Sequence, residues 1–492
     1  MSEPKATAPQ PARIPTGISG LDLILRGGLF RGGVYIVTGR PGTGKTILGN
    51  HVAFNHILGG GRVVFVTLLS ETHGRLLAFL KDMAFFSPAA VGDSISYVNG
   101  YTAAESDGLP GLMQVARAAV REQRATLLVI DGMVTAATVA RSDAEYKKFI
   151  QELQTWVEMI GCTVVLLTSA DVDHEVRPEQ TMVDGVFQLD IRPVGRRRIR
   201  QLYITKFRGS AFLEGEHTYE ITDEGVAVYP RFEPAFAGDE PVDIDHKLER
   251  MGVSGLDAML GGGVIRGSTT MIFGASGSGK TMLGQQFLQA GLEDGQAVAG
   301  FGFYANPPQI LRWGDERGFG FRAAYEAGRL ALMWQPSAER LLDKVGWQML
   351  RLVGKTGAQR LFVDSIEAFR EAEDPDRVSG FFSVLSQELR RLGVTTLFAA
   401  ETFDTVNGDV ELPVHRLSTL TQNVISLRSV EAEGRLERHV AILKTRNRQH
   451  DLRVVPFTIG ENGLVVERPE DRPPTSPRRK ASSRPGRGPR RR

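Results

Sequence analysis

Apolar residues along the chain fall into two kinds of stretch. Short continuous runs, YIVT (35–38), VVFVT (63–67), TLLVID (126–131) and TVVLL (163–167), read as strands. Between them lie longer amphipathic stretches such as Leu112–Glu122 and Tyr146–Ile160, which read as helices. The alternation returns later with MIF (271–273) and LFVD (361–364). Strands alternating with amphipathic helices predict an α/β fold in which a mostly parallel sheet is flanked by helices. The apolar runs stay far below the roughly 20 residues that span a bilayer, so no transmembrane helix is expected.

The alternation repeats because the sequence does. Residues 17–46, GISGLDLILRGGLFRGGVYIVTGRPGTGKT, align without a gap on residues 252–281, GVSGLDAMLGGGVIRGSTTMIFGASGSGKT, with 15 identities at a constant offset of 235. A repeat of that size is a duplicated domain rather than a solenoid unit. The expected organisation is a flexible segment over 1–12, a first domain over 13–235, a linker over 236–245, a second domain over 246–468 and a disordered tail over 469–492.

Composition alters this picture in three places. The 492 residues, 42% hydrophobic and 24% charged, are those of an ordinary globular chain with room for two large cores. The net charge of +2 conceals a tail, 469–492, with nine Lys/Arg against two acids, so the remaining 468 residues carry −5. A mildly acidic body does not read as a pervasive nucleic-acid-binding surface. The Pro/Arg/Ser-rich tail fits an arm for nucleic acid or another acidic partner, and equally a solubilising extension. The single cysteine, Cys162, opens an apolar run and reads as buried filler. The polar N-terminus lacks the apolar centre of a secretory signal, which leaves the cytoplasm as the expected location and no membrane partner.

Both copies carry a phosphate-binding loop. GRPGTGKT (39–46) and GASGSGKT (274–281) are each preceded by a predicted strand and followed by a predicted helix, ILGNHVAF and MLGQQFLQ, which is the context the motif requires. Gly39, Gly42, Thr43 and Gly44, and in the second copy Gly274, Ser276, Gly277, Ser278 and Gly279, shape loops whose backbone N–H groups surround phosphates. Lys45 and Lys280 are placed for the β- and γ-phosphates of a nucleotide, and Thr46 and Thr281 for Mg²⁺. An acid at a neighbouring strand tip completes such a site. Asp131 and Asp364, 85 and 83 residues beyond those threonines, fit that role, and their recurrence outweighs a plain strand-end reading.

With the SGLD…GG…RG lead-in at 19–32 and 254–267, and the Lys-x-Arg segments YITKFRGS (203–210) and AILKTRNR (441–448), the chain resembles the KaiC-like ATPases of the RecA superfamily over roughly residues 14–468. The resemblance implies tandem RecA-like P-loop NTPase domains and an ATPase that uses ATP with Mg²⁺. It further implies a homo-oligomer, a hexamer of two stacked rings with ATP at subunit interfaces. In that family the Lys and Arg of the last element reach the γ-phosphate of a neighbouring subunit, which would assign the role to Lys206, Arg208, Lys444 and Arg446. Residues i and i+2 of a strand share a face, so two cations could meet one anion, though a solvated strand face has the same pattern.

The copies differ in the acid that would act on water. The family places a Glu at the end of the strand after the P-loop helix. The first copy offers Glu71 in VVFVTLLSETHGRL, one residue later than the usual register, and Glu71 could also be a helix-start carboxylate. The second copy has Tyr304 and Ala305 at those positions, with Glu367 and Glu401 as the only nearby substitutes. The expectation is hydrolysis mainly in the first domain, by Glu71, Lys45, Lys206 and Arg208, with a second domain that binds ATP for ring assembly. The segment HRLSTLTQNVISL (415–427) is similar to the family's autophosphorylated stretch, so Ser418 and Thr419 keep a serine/threonine autokinase as an alternative. A DNA-associated RecA-like ATPase is a further alternative. A signalling protein partner is expected but not identified.

Overall fold

The computed structural model describes residues 12–68, 73–169, 178–194, 197–236, 246–336, 341–369, 375–402, 421–432, 435–446 and 448–467. The chain divides into two compact units, one reaching to Asp239 and taking in Leu341–Trp347, the other made of the remainder. The proposed 236–245 linker lies almost wholly outside the described residues, as does the 469–492 tail.

The first unit is built on nine strands, β1 (Val34–Gly39), β2 (Val63–Thr67), β3 (Ile95–Asn99), β4 (Leu127–Asp131), β5 (Thr163–Ser169), β6 (Gly185–Val194), β7 (Arg197–Phe207), β8 (His217–Thr222) and β9 (Gly225–Tyr229). They lie in the order β3-β2-β4-β5-β1-β6-β7-β8-β9. Pairing is parallel from β3 to β6 and antiparallel from β6 to β9. The second unit repeats this with β10 (Thr269–Gly274), β11 (Val298–Gly302), β12 (Leu330–Trp334), β13 (Arg360–Val363), β14 (Thr395–Glu401), β15 (Asn423–Ala432), β16 (Arg435–Thr445), β17 (Val455–Gly460) and β18 (Gly463–Val466), in the order β12-β11-β13-β14-β10-β15-β16-β17-β18. The α/β expectation therefore holds twice, each sheet mostly parallel.

The apolar runs are continuous because the central strands have no wet face. All residues of β1, β2 and β4 are buried. Successive side chains point to opposite faces of a strand and so serve two different cores. Tyr35 and Val37 pack with Val52 and Phe54 of helix α1 (Lys45–Leu58). Val34 and Ile36 join Leu112 and Leu153 from the helices Tyr101–Gln123 and Asp143–Ile160 on the other side. Each such aliphatic side chain contributes about 1.5–3 kcal/mol by leaving water. Among the described residues no helix is long and apolar enough to cross a membrane.

Cys162 sits in the second of these cores, fully buried, and burial pushes its thiol up to about 12. Almost no thiolate then exists at pH 8, and the thiolate is the reactive form. Native protein should release no chromophore from an aromatic disulfide reagent at pH 8, whereas guanidinium-unfolded protein should consume one equivalent.

Candidate functional site

At the end of β1 the chain turns through residues 40–44 and enters α1 at Lys45; after β10 it turns through 275–279 and enters α2 (Lys280–Glu293). The turn demands glycine. Gly44 and Gly279 cap the helices at φ +91° and +102°, and a Cβ there would stand 2.3 Å from Ile221 Cδ1 or 2.9 Å from Ile459 Cδ1. A Cβ on Gly39 or Gly274 would lie 2.5 Å from a carbonyl oxygen of the adjacent strand, that of Leu189 or Leu427. Gly42 and Gly277, also at positive φ, have open space where a side chain would be. The loop backbone can thus approach a ligand closely, with the N-terminal end of a helix aimed at it.

Lys45 Nζ donates to the carbonyls of Gly39 (2.7 Å) and Arg40 (3.0 Å), and Lys280 Nζ to those of Gly274 (2.7 Å) and Ala275 (2.8 Å). Burial lowers the Lys45 pKa, partly offset by the Asp131 charge. Thr46 Oγ1 donates to Asp131 Oδ2 at 2.7 Å, and Thr281 Oγ1 to Asp364 Oδ2 at 2.8 Å. Asp131 is the last residue of β4, while Asp364 follows the last residue of β13. The residue after each acid takes a positive φ, Gly132 at +94° and Ser365 at +68°. Burial raises the Asp364 pKa, opposed by the Thr281 hydroxyl and the Lys280 charge. A hydroxyl and a carboxylate side by side, with room left for phosphate oxygens, are the hard-oxygen donor set that suits Mg²⁺.

Beside the first loop lies a cavity of about 400 Å³ lined by Gly42, Gly44, Lys45, Thr46, Arg200 and Ile221. The second loop opens on a larger one, about 720 Å³, lined by Lys280, Thr281, Tyr304, Trp313, Asp364, Glu401 and others. Arg200 carries no motif and was not singled out from the sequence. It reaches the cavity because β7 pairs with β8, which sets Arg200 opposite Tyr219, whose hydroxyl donates to the Thr43 carbonyl at 2.5 Å. Its Nε is buried without a hydrogen bond. No local pattern in the sequence marks it, and a bulge at Thr205 sets it on the opposite strand face from Lys206.

A family model described as "ATPase: KaiC" matches residues 14–233 and again 250–471. The chain belongs to the KaiC ATPase family. It is 25% identical over 473 residues to the circadian clock oscillator protein KaiC of Prochlorococcus marinus, covering 93% of each chain. Against the protein of that name from Rippkaea orientalis the identity is 25%, over 92% of this chain and 88% of the relative. The circadian clock protein KaiC3 of Synechocystis is 23% identical, over 93% and 92%.

In this KaiC-family chain the Lys-x-Arg cations lie away from the loop of their own unit. Lys206 Nζ donates to the carbonyls of Gln180 (3.1 Å) and Thr181 (2.6 Å), and the Arg208 guanidinium to those of Thr181 (3.0 Å) and Met182 (3.1 Å). Arg208 stands one residue past the end of β7, yet the two cations converge on one segment. The backbone N–H of Arg208 bonds Asp184, which bonds Val34 at the start of β1, whereas the loop begins at the other end of that strand, at Gly39. Five residues of strand separate the two levels by about 16 Å. In the second unit Lys444 Nζ donates to Thr421, and Arg446 bonds Gln422, which bonds Thr269 at the start of β10. Burial, reinforced by the like charge of Arg208 or Arg446, lowers the pKa of Lys206 and Lys444, and for Lys206 the Asp184 charge opposes it.

Glu71, Ser418 and Thr419 lie outside the described residues. The residues on either side of 69–72 are described: the Leu68 N–H bonds the Asp131 carbonyl at 2.8 Å, and His73 Nε2 meets Thr67 Oγ1 at 2.9 Å. In the second unit Tyr304 and Ala305 follow β11 and line the cavity. Glu367 accepts the backbone N–H of Glu401 at 3.2 Å, and burial, reinforced by the Glu401 charge, raises its pKa.

Two equivalent loops predict two nucleotides per chain. Lys280→Ala should lower bound ATP analogue from two to one per chain in equilibrium dialysis, Lys45→Ala should do the same, and the double variant should bind none.

Proposed function

We propose that the chain is an ATP-driven regulatory protein of the cytoplasm that works as a homo-oligomeric ring, a hexamer, with ATP held between subunits. Hydrolysis is assigned mainly to the first unit, while the second binds ATP and supports ring assembly. The observation that carries the reading is the separation of the phosphate loop from Lys206 and Arg208 to opposite ends of β1, at about 16 Å, beyond the reach of one side chain. Cations at the far end of the sheet serve a phosphate only if it is bound by another copy of the chain.

Each residue then has a task. Lys45, in the mouth of the loop, neutralises phosphate oxygens, and the N–H groups of the loop hold them in place. Thr46 and Asp131 would hold Mg²⁺, which when bound supplies further neutralisation of the phosphate charge. Arg200 lines the same cavity with its unpaired Nε and adds positive charge. Glu71 accepts a proton from the attacking water as its oxygen bonds to the γ-phosphorus and the bond to the β–γ bridging oxygen breaks, giving ADP and phosphate. Leu68, whose N–H bonds the Asp131 main-chain carbonyl, and His73, which meets Thr67, flank the 69–72 segment that carries Glu71. Lys206 and Arg208 of a neighbouring subunit stabilise the charge that develops. Tyr304 and Ala305 offer no such proton acceptor, which supports the assignment of most turnover to the first unit.

Incubation with γ-³²P-ATP and Mg²⁺ separates this reading from the autokinase. Free phosphate should accumulate without protein-bound label, and Glu71→Gln should slow its release by about 10²–10³-fold. Protein label removed by Ser418→Ala/Thr419→Ala would establish phosphotransfer instead. DNA-stimulated turnover would favour the nucleic-acid motor.

Completion of the site by a neighbour predicts complementation. Lys45→Ala and Arg208→Ala chains should each be nearly inactive, but co-refolded in equal amounts they should recover about a quarter of wild-type turnover, the share of interfaces that pair an intact loop with an intact arginine.

A further inference from the structure

We infer that Glu401 is the general base of a slower ATP hydrolysis in the second unit. The inference rests on the reading of the second cavity as an ATP site. Glu401 is the last residue of β14, the strand inserted between the loop strand β10 and the Asp364 strand β13. Its Cα pairs with Gly274, where the loop begins, and the next N–H, of Thr402, bonds the Gly274 carbonyl at 3.2 Å. The side chain lines the cavity with Lys280, Thr281 and Asp364, and its carboxylate makes no hydrogen bond or ion pair to another described residue. Glu367 fixes the strand end from behind by accepting the Glu401 backbone N–H, so it is a positioning residue.

The first unit has no acid at either place. Ser169 pairs with Gly39 as Glu401 does with Gly274, and Val134, three residues after Asp131, stands where Glu367 follows Asp364. The second unit thus lacks an acid beyond β11 and has one beyond β14, next to the loop. A carboxylate there can take a proton from water as the water oxygen bonds to the γ-phosphorus and the bridging bond to the β-phosphate breaks. ADP and phosphate leave, and Glu401 returns its proton to solvent.

The test uses the full chain with the first site silenced by Lys45→Ala. Phosphate release should persist at a low rate, fall a further 10²–10³-fold or so in Lys45→Ala/Glu401→Gln with one nucleotide still bound, and recover in part in Lys45→Ala/Glu401→Asp, which keeps the carboxylate. Equal rates with and without Glu401→Gln overturn the assignment, as does an Asp variant no faster than the Gln variant. Absence of any turnover in Lys45→Ala also overturns it and leaves the first-unit reading standing. A wild-type rate unaffected by Glu71→Gln, by contrast, counts against the first-unit reading alone.

Discussion

A strand that turns directly into a helix while gathering its N–H groups on the inside of the turn can be built only where the helix begins in a left-handed backbone conformation. Gly44 and Gly279 supply it, each pressed against an isoleucine, Ile221 or Ile459, from the antiparallel half of the sheet. Any other residue would be strained at that φ and would have to push the isoleucine aside. The rest of each site follows from the constraint. Once the helix starts at the lysine, the next residue is a threonine one hydrogen bond from the acid of a strand two places away in the sheet.

The parallel arrangement of the sheet gives it two chemically different ends. Carboxyl ends of β1, β4 and β10 carry the loops and the first acid; at the opposite level, Lys206, Arg208 and Lys444 donate to main-chain carbonyls. Anion-binding groups of two kinds are thereby kept apart within each unit. In the proposed ring this separation is what makes a subunit incomplete alone: cations that cannot fold back on their own phosphate remain available for a neighbour's. Burial, with the like charge of Arg208 or Arg446 added to it, lowers the pKa of Lys206 and Lys444.

Duplication preserved topology and let chemistry drift. The two sheets share one strand order, and the threonine–aspartate contact differs between them by only 0.1 Å. Around that shared frame the first cavity is smaller and basic, with Arg200, and the second is larger and carries Tyr304, Trp313 and Glu401. Positions that line a cavity rather than pack among apolar neighbours tolerate such exchange, because a substitution there changes charge and reach without opening a void.

From the sequence alone came the duplication, the α/β architecture, the two loops and their partners Asp131 and Asp364, since these depend on local spacing. An apolar run long enough to be buried on both faces is a central parallel strand, and a glycine-rich turn between strand and helix is readable wherever it occurs. Burial of Cys162 was legible for the same reason. Sheet order was not. Tertiary structure alone placed β14 between β10 and β13, although some 120 residues separate it from the loop it adjoins, and so brought Glu401 into the second cavity. It also put Arg200 opposite Tyr219 and set Lys206 and Arg208 at the far level of β1. Spacing along a chain decides which face of its own element a side chain occupies; which strand ends become neighbours is decided by pairing between segments distant in sequence, and no local pattern encodes that.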